Sequence, residues 1–214
     1  MLTLIDADVA VYRVGFTTQN DEEWIALARF DEMIEGILAE TASTEYQLWL
    51  SDKTSNNFRT KLYPEYKANR KDFVLPKHYN AIKEHAIREW GAMVAIEQEA
   101  DDALGIEQCL QKSDEGLAEN QHTSVICSVD KDLLQIPGKH YNFVKKEAQF
   151  VTSEEGLKHF YTQLLQGDPS DNIQGCPGIG VVKANKALAS ISDEESLFLR
   201  VVELYRAQYR QKLG

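Results

Sequence analysis

The chain has 214 residues, 43% of them hydrophobic and 27% charged, enough for one substantial domain or a domain with a small appendage. No stretch approaches the roughly 18 apolar residues of a transmembrane helix, and the start, Met1-Leu2-Thr3-Leu4-Ile5-Asp6, lacks the basic segment of a signal peptide. A net charge of −11 excludes a uniformly basic nucleic-acid binder, and three scattered cysteines exclude a disulfide framework or a paired thiolate site; Cys109, Cys127 and Cys176 read as buried free thiols in a reducing compartment.

In chain order, Leu2–Asp6 predicts a buried strand. Asp21 to about Ala42 predicts a helix capped by Asn20 or Asp21, with Trp24, Leu27, Ala28, Ile34 and Leu38 on its apolar side. Tyr46–Leu50 is a second strand, ending at Ser51-Asp52. From Lys53 to Pro76 the periodicity fails, with polar, basic and aromatic residues mixed around two prolines. A helix at about Lys77–Trp90, a strand at Ala92–Ile96 and a helix from Ala100 to about Lys112 follow. Ser113–Gln121 is a polar loop, Val125–Ser128 a strand and Asp130–Gln135 a short helix. His140–Val151 reads as a hairpin and Ser153–Gln166 as an amphipathic helix, with Leu157, Phe160, Tyr161, Leu164 and Leu165 at helical spacing. After the turn-rich stretch Gly167–Gly180, two helices follow at about Val181–Ala189 and Glu194–Arg210. Alternating strands and helices predict an α/β domain, its mostly parallel central sheet flanked by helices, followed by a smaller helical subdomain.

Acidic knots recur beside the predicted strands: Asp6 with Asp8, Glu99 with Asp101 and Asp102, and Asp130 with Asp132; a fourth, Asp168 with Asp171, follows a predicted helix. Strand ends in such a sheet converge on one edge, so these carboxylates can meet in space. Single acids there are common helix caps, but caps need one acid per helix and these come in pairs and triplets. A carboxylate cluster cannot stay ionised without cations, and hard divalent metals with oxygen ligands are the economical neutraliser. Two such ions roughly 4 Å apart polarise a phosphodiester and activate water, so no nucleophilic side chain is needed. The five histidines lie outside the knots in no ligand pattern.

Two segments suit phosphate. Residues 53–88 hold nine Lys or Arg against three acids, a local excess of six positive charges in an acidic chain. Asn57-Phe58-Arg59 and Tyr63-Pro64-Glu65-Tyr66-Lys67-Ala68-Asn69-Arg70 mix cations with aromatics, as expected for phosphate contacts and base stacking. Pro177-Gly178-Ile179-Gly180 before a helix presents backbone N–H groups at a positive helix end, with Lys183 in the first turn.

Together these residues resemble the 5′-nuclease superfamily of phage 5′→3′ exonucleases, flap endonucleases and the 5′-nuclease domain of bacterial DNA polymerase I. The resemblance spans about residues 2–190, with motifs in family order: Asp6 with Tyr12-Arg13; Asp52, Phe58-Arg59, Tyr66-Lys67 and Arg70; Glu99-Ala100-Asp101-Asp102; Ser128-Val129-Asp130-Lys131-Asp132-Leu133; Gly167-Asp168 to Asp171-Asn172; and Gly178-Ile179-Gly180. It implies a PIN-like core at 1–152, with a short arch at about 53–90, and a helical subdomain at 153–214 carrying a helix–three-turn–helix. It also implies two or more Mg²⁺ or Mn²⁺ ions. One would be held by Asp6, Asp52, Glu99 and Asp101, the other by Asp130, Asp132 and Asp171, with Asp101 shared and Asp102 and Asp168 acting through water. Lys67 and Arg70 would contact the scissile phosphate and Tyr12 would stack near it, while Arg13, Arg59, Tyr66, Gly178, Gly180 and Lys183 would hold DNA. A monovalent K⁺ would sit at the helix–three-turn–helix.

The implied protein is a cytoplasmic monomer of a bacterial or phage-infected cell, with no membrane partner, that cuts DNA at 5′ ends, flaps or nicks in replication or repair. The chain departs from the pattern in having only one or two helices after the turn and a short stretch between Arg70 and Glu99. Asp8 is given no role. The rivals are an aspartyl-nucleophile phosphatase, imitated by Asp6-Ala7-Asp8 and Gly167-Asp168-Pro169-Ser170-Asp171, and a catalytically silent DNA-binding module. The phosphatase motif should follow a buried strand, and the silent module needs few acids.

Overall fold

A computed structural model describes residues 1–52, 57–70, 73–111 and 122–213, with side chains to 210. Lys53, Lys71, Asp72 and the loop expected at Ser113–Gln121 lie outside the described residues. The chain forms a six-stranded sheet in the order β3-β2-β1-β4-β5-β6, from β1 (Leu2–Asp6), β2 (Glu45–Ser51), β3 (Met93–Ala95), β4 (Ser124–Cys127), β5 (Gly138–Asn142) and β6 (Glu147–Val151). β1 pairs in parallel with β2 and β4, as β2 does with β3 and β4 with β5; β6 turns back antiparallel to β5. The expected mostly parallel sheet and the hairpin are both present.

Both faces of the sheet are covered, which is why its central strands read as unbroken apolar runs. Ile5, Leu48, Leu50, Val125 and Cys127 join one core with residues of α1 (Ala7–Thr17), α2 (Glu23–Thr41) and, beyond the five-residue α3 (Phe58–Leu62), α4 (Tyr79–Trp90). Leu4 and Ile126 join Leu104 of α5 (Ala100–Gln111) and Leu133 on the opposite face. Full burial of one such side chain is worth roughly 1.5–3 kcal/mol.

Several local expectations are corrected. The periodicity leaves residues 7–17 unassigned, yet α1 starts directly at the end of β1. Asp6 is both the last strand residue and the helix N-cap, its Oδ1 accepting the Val9 N–H at 3.0 Å. The valines of this segment suit strand or helix alike, so the boundary is set by the cap. Helix α2 begins at Glu23 after Glu22, with no side-chain cap. Asp21 instead offers its carbonyl to Lys77 Nζ and His78 Nε2. Trp24 is 69% exposed, because the buried stripe runs through Ala26, Phe30, Ile34 and Ile37. Cys109 is exposed on α5, whereas Cys127 and Cys176 are buried.

Beyond the sheet, α6 (Ser153–Gln166) opens with a capping box between Thr152 and Glu155. Tyr161 and Leu165 pack with Cys176, Ile179, Ala184, Leu188, Leu197 and Val201, drawing together α7 (Val181–Leu188) and α8 (Glu194–Leu213). Between α6 and α7 a two-residue pair, β7 (Gly167–Asp168) and β8 (Ile173–Gln174), forms a small hairpin. Gly167 has φ +71°, and a Cβ there would lie 2.6 Å from Ile173 O. Glycine is required by both conformation and space. No helix among the described residues is long and apolar enough to cross a membrane.

Candidate active site

The ends of the parallel strands open into a cleft of about 1010 Å³. Eight carboxylates line it: Asp6, Asp8, Glu99, Asp101, Asp130, Asp132, Asp168 and Asp171, beside Lys67, Arg70 and Lys131. Asp6 arrives at the tip of β1, and Glu99 and Asp101 at the start of α5. Asp130 and Asp132 follow β4, while Asp168 and Asp171 come from the small hairpin. The cleft lies at β1, which has β2 on one side and β4 on the other so that the strand order reverses there, the position at which open parallel sheets place ligands.

The packing charges this cleft against itself. Burial lifts the Asp6 carboxyl from 3.8 to about 7; bonds from Ser128 Oγ and Val9 N–H oppose the rise, and the charges of Asp8 and Asp130 add to it. Asp101 is held well above the carboxylate range by burial first, then by Asp6, Asp130 and Glu99, with Lys67 working the other way. Burial, Asp130 and Asp168 raise Asp132 to about 6. Asp168 stands below its ordinary value: burial pushes it up, but the Ser170 hydroxyl and the backbone N–H groups of Ser170 and Asp171 outweigh that. Such an oxygen-only donor set short of countercharge suits hard divalent cations. Among the described residues no three of these groups are drawn into a closed coordination cage.

Lys67, Arg70 and Lys131 line the same cleft, and the first two are bonded to its acids. Lys67 Nζ donates to both Glu99 oxygens at 2.7 and 2.8 Å and lies 3.8 Å from Asp171 Oδ2. Arg70 donates through Nη2 to Asp171 Oδ1 at 2.6 Å and through Nε to Ser170 O at 3.2 Å. Lys67 itself sits at φ +56°, unusual for a residue with a side chain, and its N–H donates to Asp171 O at 3.0 Å. Asn69 Nδ2 donates to Pro169 O at 2.9 Å, so residues 67–70 are docked on the hairpin.

Other expected site residues take different places. Asp102 points away from the cleft and receives Arg59 at 2.5 and 2.7 Å, as well as the Glu99 N–H. Burial would raise its pKa, but these bonds hold it below the carboxylate range. Arg59 is therefore occupied by Asp102 and lies over the Phe58 ring at 4.7 Å. Asp52 follows β2, its N–H bonded to Ala95 O, and does not line the cleft. Tyr66, expected to offer its ring to a base, is only 6% exposed, and its hydroxyl bridges Glu99 Oε2 and Asp171 Oδ2 at 3.0 and 2.8 Å. Tyr12 and Gly180 line the cleft, whereas Arg13 is exposed on the outer side of α1. Gly178 has φ +73°, and Lys183 Nζ donates to its carbonyl at 2.8 Å.

Three residues of the site are given no role by the sequence, and for Asp8 the structure corrects that expectation. Asp8 lines the cleft and accepts the Ser51 N–H at 2.8 Å, tying α1 to the end of β2. Its Asp-x-Asp spacing after a strand is the signal that marks it. Ser128 donates to Asp6 and accepts the Asp130 N–H at 3.0 Å, linking two acids across the sheet edge. Gln163 reaches from α6 to Asp132 Oδ1, a contact that no local pattern reveals.

Residues 1–162 match the family model described as 5′-3′ exonuclease, N-terminal resolvase-like domain. The match covers the sheet and most of α6 and stops short of Asp168. Similar curated proteins include a 5′-3′ exonuclease of Buchnera aphidicola subsp. Schizaphis graminum, 25% identical over 98% of this chain and 77% of that one. DNA polymerase I of Borreliella burgdorferi is 28% identical over 79% of this chain, but only 19% of its own length. The chain spans 63% of a second Buchnera 5′-3′ exonuclease. Among solved structures, phage T5 5′-exonuclease with bound zinc ions shares the fold at a TM-score of 0.65, with 15% identity over 95% of this chain and 88% of that one. A phage T5 flap endonuclease complex with DNA and metal ions gives a TM-score of 0.66, with 16% identity over the same shares. By the match over residues 1–162, the chain belongs to the family of 5′-3′ exonucleases with an N-terminal resolvase-like domain.

Proposed function

We propose that this protein hydrolyses DNA phosphodiesters near 5′ ends, flaps or nicks, leaving 5′-phosphates, in replication or repair. The observation that carries the reading is the cleft itself: eight carboxylates share it with Lys67, Arg70 and Lys131 on the edge where parallel strands end. In this reading Asp6, Glu99 and Asp101 would hold one divalent ion, Mg²⁺ or Mn²⁺, and Asp130, Asp132 and Asp171 a second, while Asp168 supports the hairpin. Asp52, just past the end of β2, is left out of this ligand set because it does not line the cleft, and Asp102 because it is paired with Arg59. Bound, the ions supply Lewis-acid polarisation of the phosphate and a nucleophilic water.

The protein's own groups do the rest. Lys67 and Arg70 stabilise charge developing on the phosphate, a preorganised contribution of roughly 3–4 kcal/mol for a well-placed donor. Ser128 and Gln163 keep Asp6 and Asp132 aimed at the cleft. The turn at Gly178–Gly180, at the start of α7, grips a duplex phosphate with its N–H groups and is where a K⁺ ion belongs. We place the working division at 1–152 for the core and 153–214 for the helical DNA-gripping part, acting as a monomer in the cytoplasm. The phosphatase alternative fits less well, because Asp168 follows α6 rather than a buried strand.

The test is incubation with Mg²⁺ and flapped, nicked and single-stranded DNA beside a small phosphomonoester, with Asp130→Asn as control. DNA cleavage lost in the control supports the proposal. Hydrolysis of the phosphomonoester alone would replace it with the phosphatase, and binding without cleavage with the silent module.

A further inference from the structure

Asp8 is the acid of the cleft that the family pattern does not ask for, and Asp52 is the acid that the pattern asks for and the cleft lacks. The end of β2 explains the exchange. Successive residues along a strand face opposite sides, and Ser51, the last residue of β2, is the one that lines the cleft. Asp52, one residue further, follows the sheet edge toward β3, with its N–H on Ala95 O at 3.3 Å. The tip of β2 receives its carboxylate from a neighbouring element instead. Asp8, in the first turn of α1, accepts the Ser51 N–H through Oδ2 at 2.8 Å.

Ser51 also fixes where that carboxylate stands. Its Oγ accepts the Ala100 N–H at 2.9 Å, and its carbonyl accepts Lys83 Nζ at 3.3 Å. One residue thereby ties Asp8 to the turn that carries Glu99 and Asp101. A first-turn acid is favoured by the helix dipole, but that alone would suit any face of α1. Standing among seven other carboxylates is the reverse of favourable until a cation joins them. Lys67 and Arg70 do not supply it to Asp8, because they pair with Glu99 and Asp171. A carboxylate accepts several bonds, so the one from Ser51 leaves room for a hard divalent ion.

We propose that Asp8 supplies the fourth carboxylate to the ion held by Asp6, Glu99 and Asp101, in the position that the family pattern gives to Asp52. The inference rests on the nuclease reading above and deepens it by exchanging one member of the ligand set. It also gives the second acid of Asp6-Ala7-Asp8 a reason to face the cleft.

The experiment titrates Mn²⁺ alone into the full chain as wild type, Asp8→Asn and Asp52→Asn, with free Mn²⁺ read from its EPR signal. Asparagine keeps an acceptor for the Ser51 N–H and sheds one crowded charge, so Asp8→Asn should melt in EDTA at or above the wild-type temperature. Its tightest Mn²⁺ site should weaken by roughly 10–100-fold, the scale on which loss of one supporting group acts at a metal site. Asp52→Asn should weaken that site by less. Asp8→Ser, which removes the carboxylate and suits the first turn of a helix, should show the same loss as Asp8→Asn. Folded Asp8 variants that take up Mn²⁺ as wild type does would overturn the assignment and leave Asp8 a tie between α1 and β2. A larger loss in Asp52→Asn than in Asp8→Asn would overturn it as well. If the wild type takes up Mn²⁺ but cuts no DNA in Mg²⁺, the nuclease reading fails instead, so the two failures are told apart.

Discussion

Replacing Asp6 by Asn isolates the electrostatic cost of the carboxylate cluster. Asparagine keeps an acceptor for the Val9 N–H, and the Ser128 hydroxyl can turn to meet its amide, so the geometry around the residue survives. What disappears is a charge whose carboxyl stands at about 7 in the folded protein, raised by burial from 3.8. A raised carboxyl means that the folded state holds its proton more tightly than the unfolded chain. Its contribution to stability is therefore fully present below pH 3.8 and is lost as pH rises through about 7. The whole displacement corresponds to roughly 4 kcal/mol as an upper bound at pH 8. Relaxation and water entry reduce the expected gain of Asp6→Asn to about 1–3 kcal/mol. For a chain of this size that is a rise in Tm of about 3–10 °C. Thermal melts in EDTA should show the gain at pH 8 and a smaller one at pH 5. Added Mg²⁺ should then raise the Tm of the wild type and close the gap, while DNA cleavage by the variant is abolished. A variant less stable than wild type at pH 8 in EDTA would refute the reasoning and make Asp6 a helix cap first.

Lys67→Ala should lower single-turnover DNA cleavage by about 10²–10³-fold with affinity largely kept; equal losses in both would remove Lys67 from catalysis. Arg59→Ala should act on stability instead, since it leaves a partly buried Asp102 without its partner. We expect a loss of about 1–2 kcal/mol in urea unfolding and nearly unchanged DNA binding, whereas a large drop in affinity would restore Arg59 to the DNA surface. Gly175→Ala would bring a Cβ to 2.5 Å from Gln166 O and should cost about 2–4 kcal/mol by displacing the hairpin. A melting temperature equal to wild type would show that the crossing of the two strands has slack.

The parallel strands were legible because a strand covered on both faces must be apolar along its length, as Leu4-Ile5 and Val125-Ile126 are. Convergence of Asp6, Glu99, Asp101, Asp130 and Asp132 followed from the same logic, since acids just past parallel strands share an edge. The first helix was not legible, because Asp6 ends β1 and caps α1 with no intervening turn residue. Nor could spacing tell which neighbours in Glu99-Ala100-Asp101-Asp102 face the cleft. At the start of a helix consecutive side chains diverge by about 100°, and Asp102 turned to Arg59 while Asp101 turned inward. Asp8 stood in the first acidic knot without a role, and the turn that buries Tyr66 beside Glu99 and Asp171 lies where the sequence periodicity fails.

The docking of residues 67–70 on the hairpin at 168–172 has a consequence for how the site responds to a ligand. Asp171 gives its carbonyl to the Lys67 N–H and its carboxylate to Arg70, and Ser170 gives its carbonyl to Arg70 as well. An acid and two cations, about a hundred positions apart in sequence, are thus mechanically one body. Whatever displaces Asp171 carries Lys67 and Arg70 with it, so in the proposed reaction the acid and the two cations would move together. The backbone bond from Lys67 to Asp171 and the two side-chain bonds of Arg70 together hold the spacing between this acid and these cations.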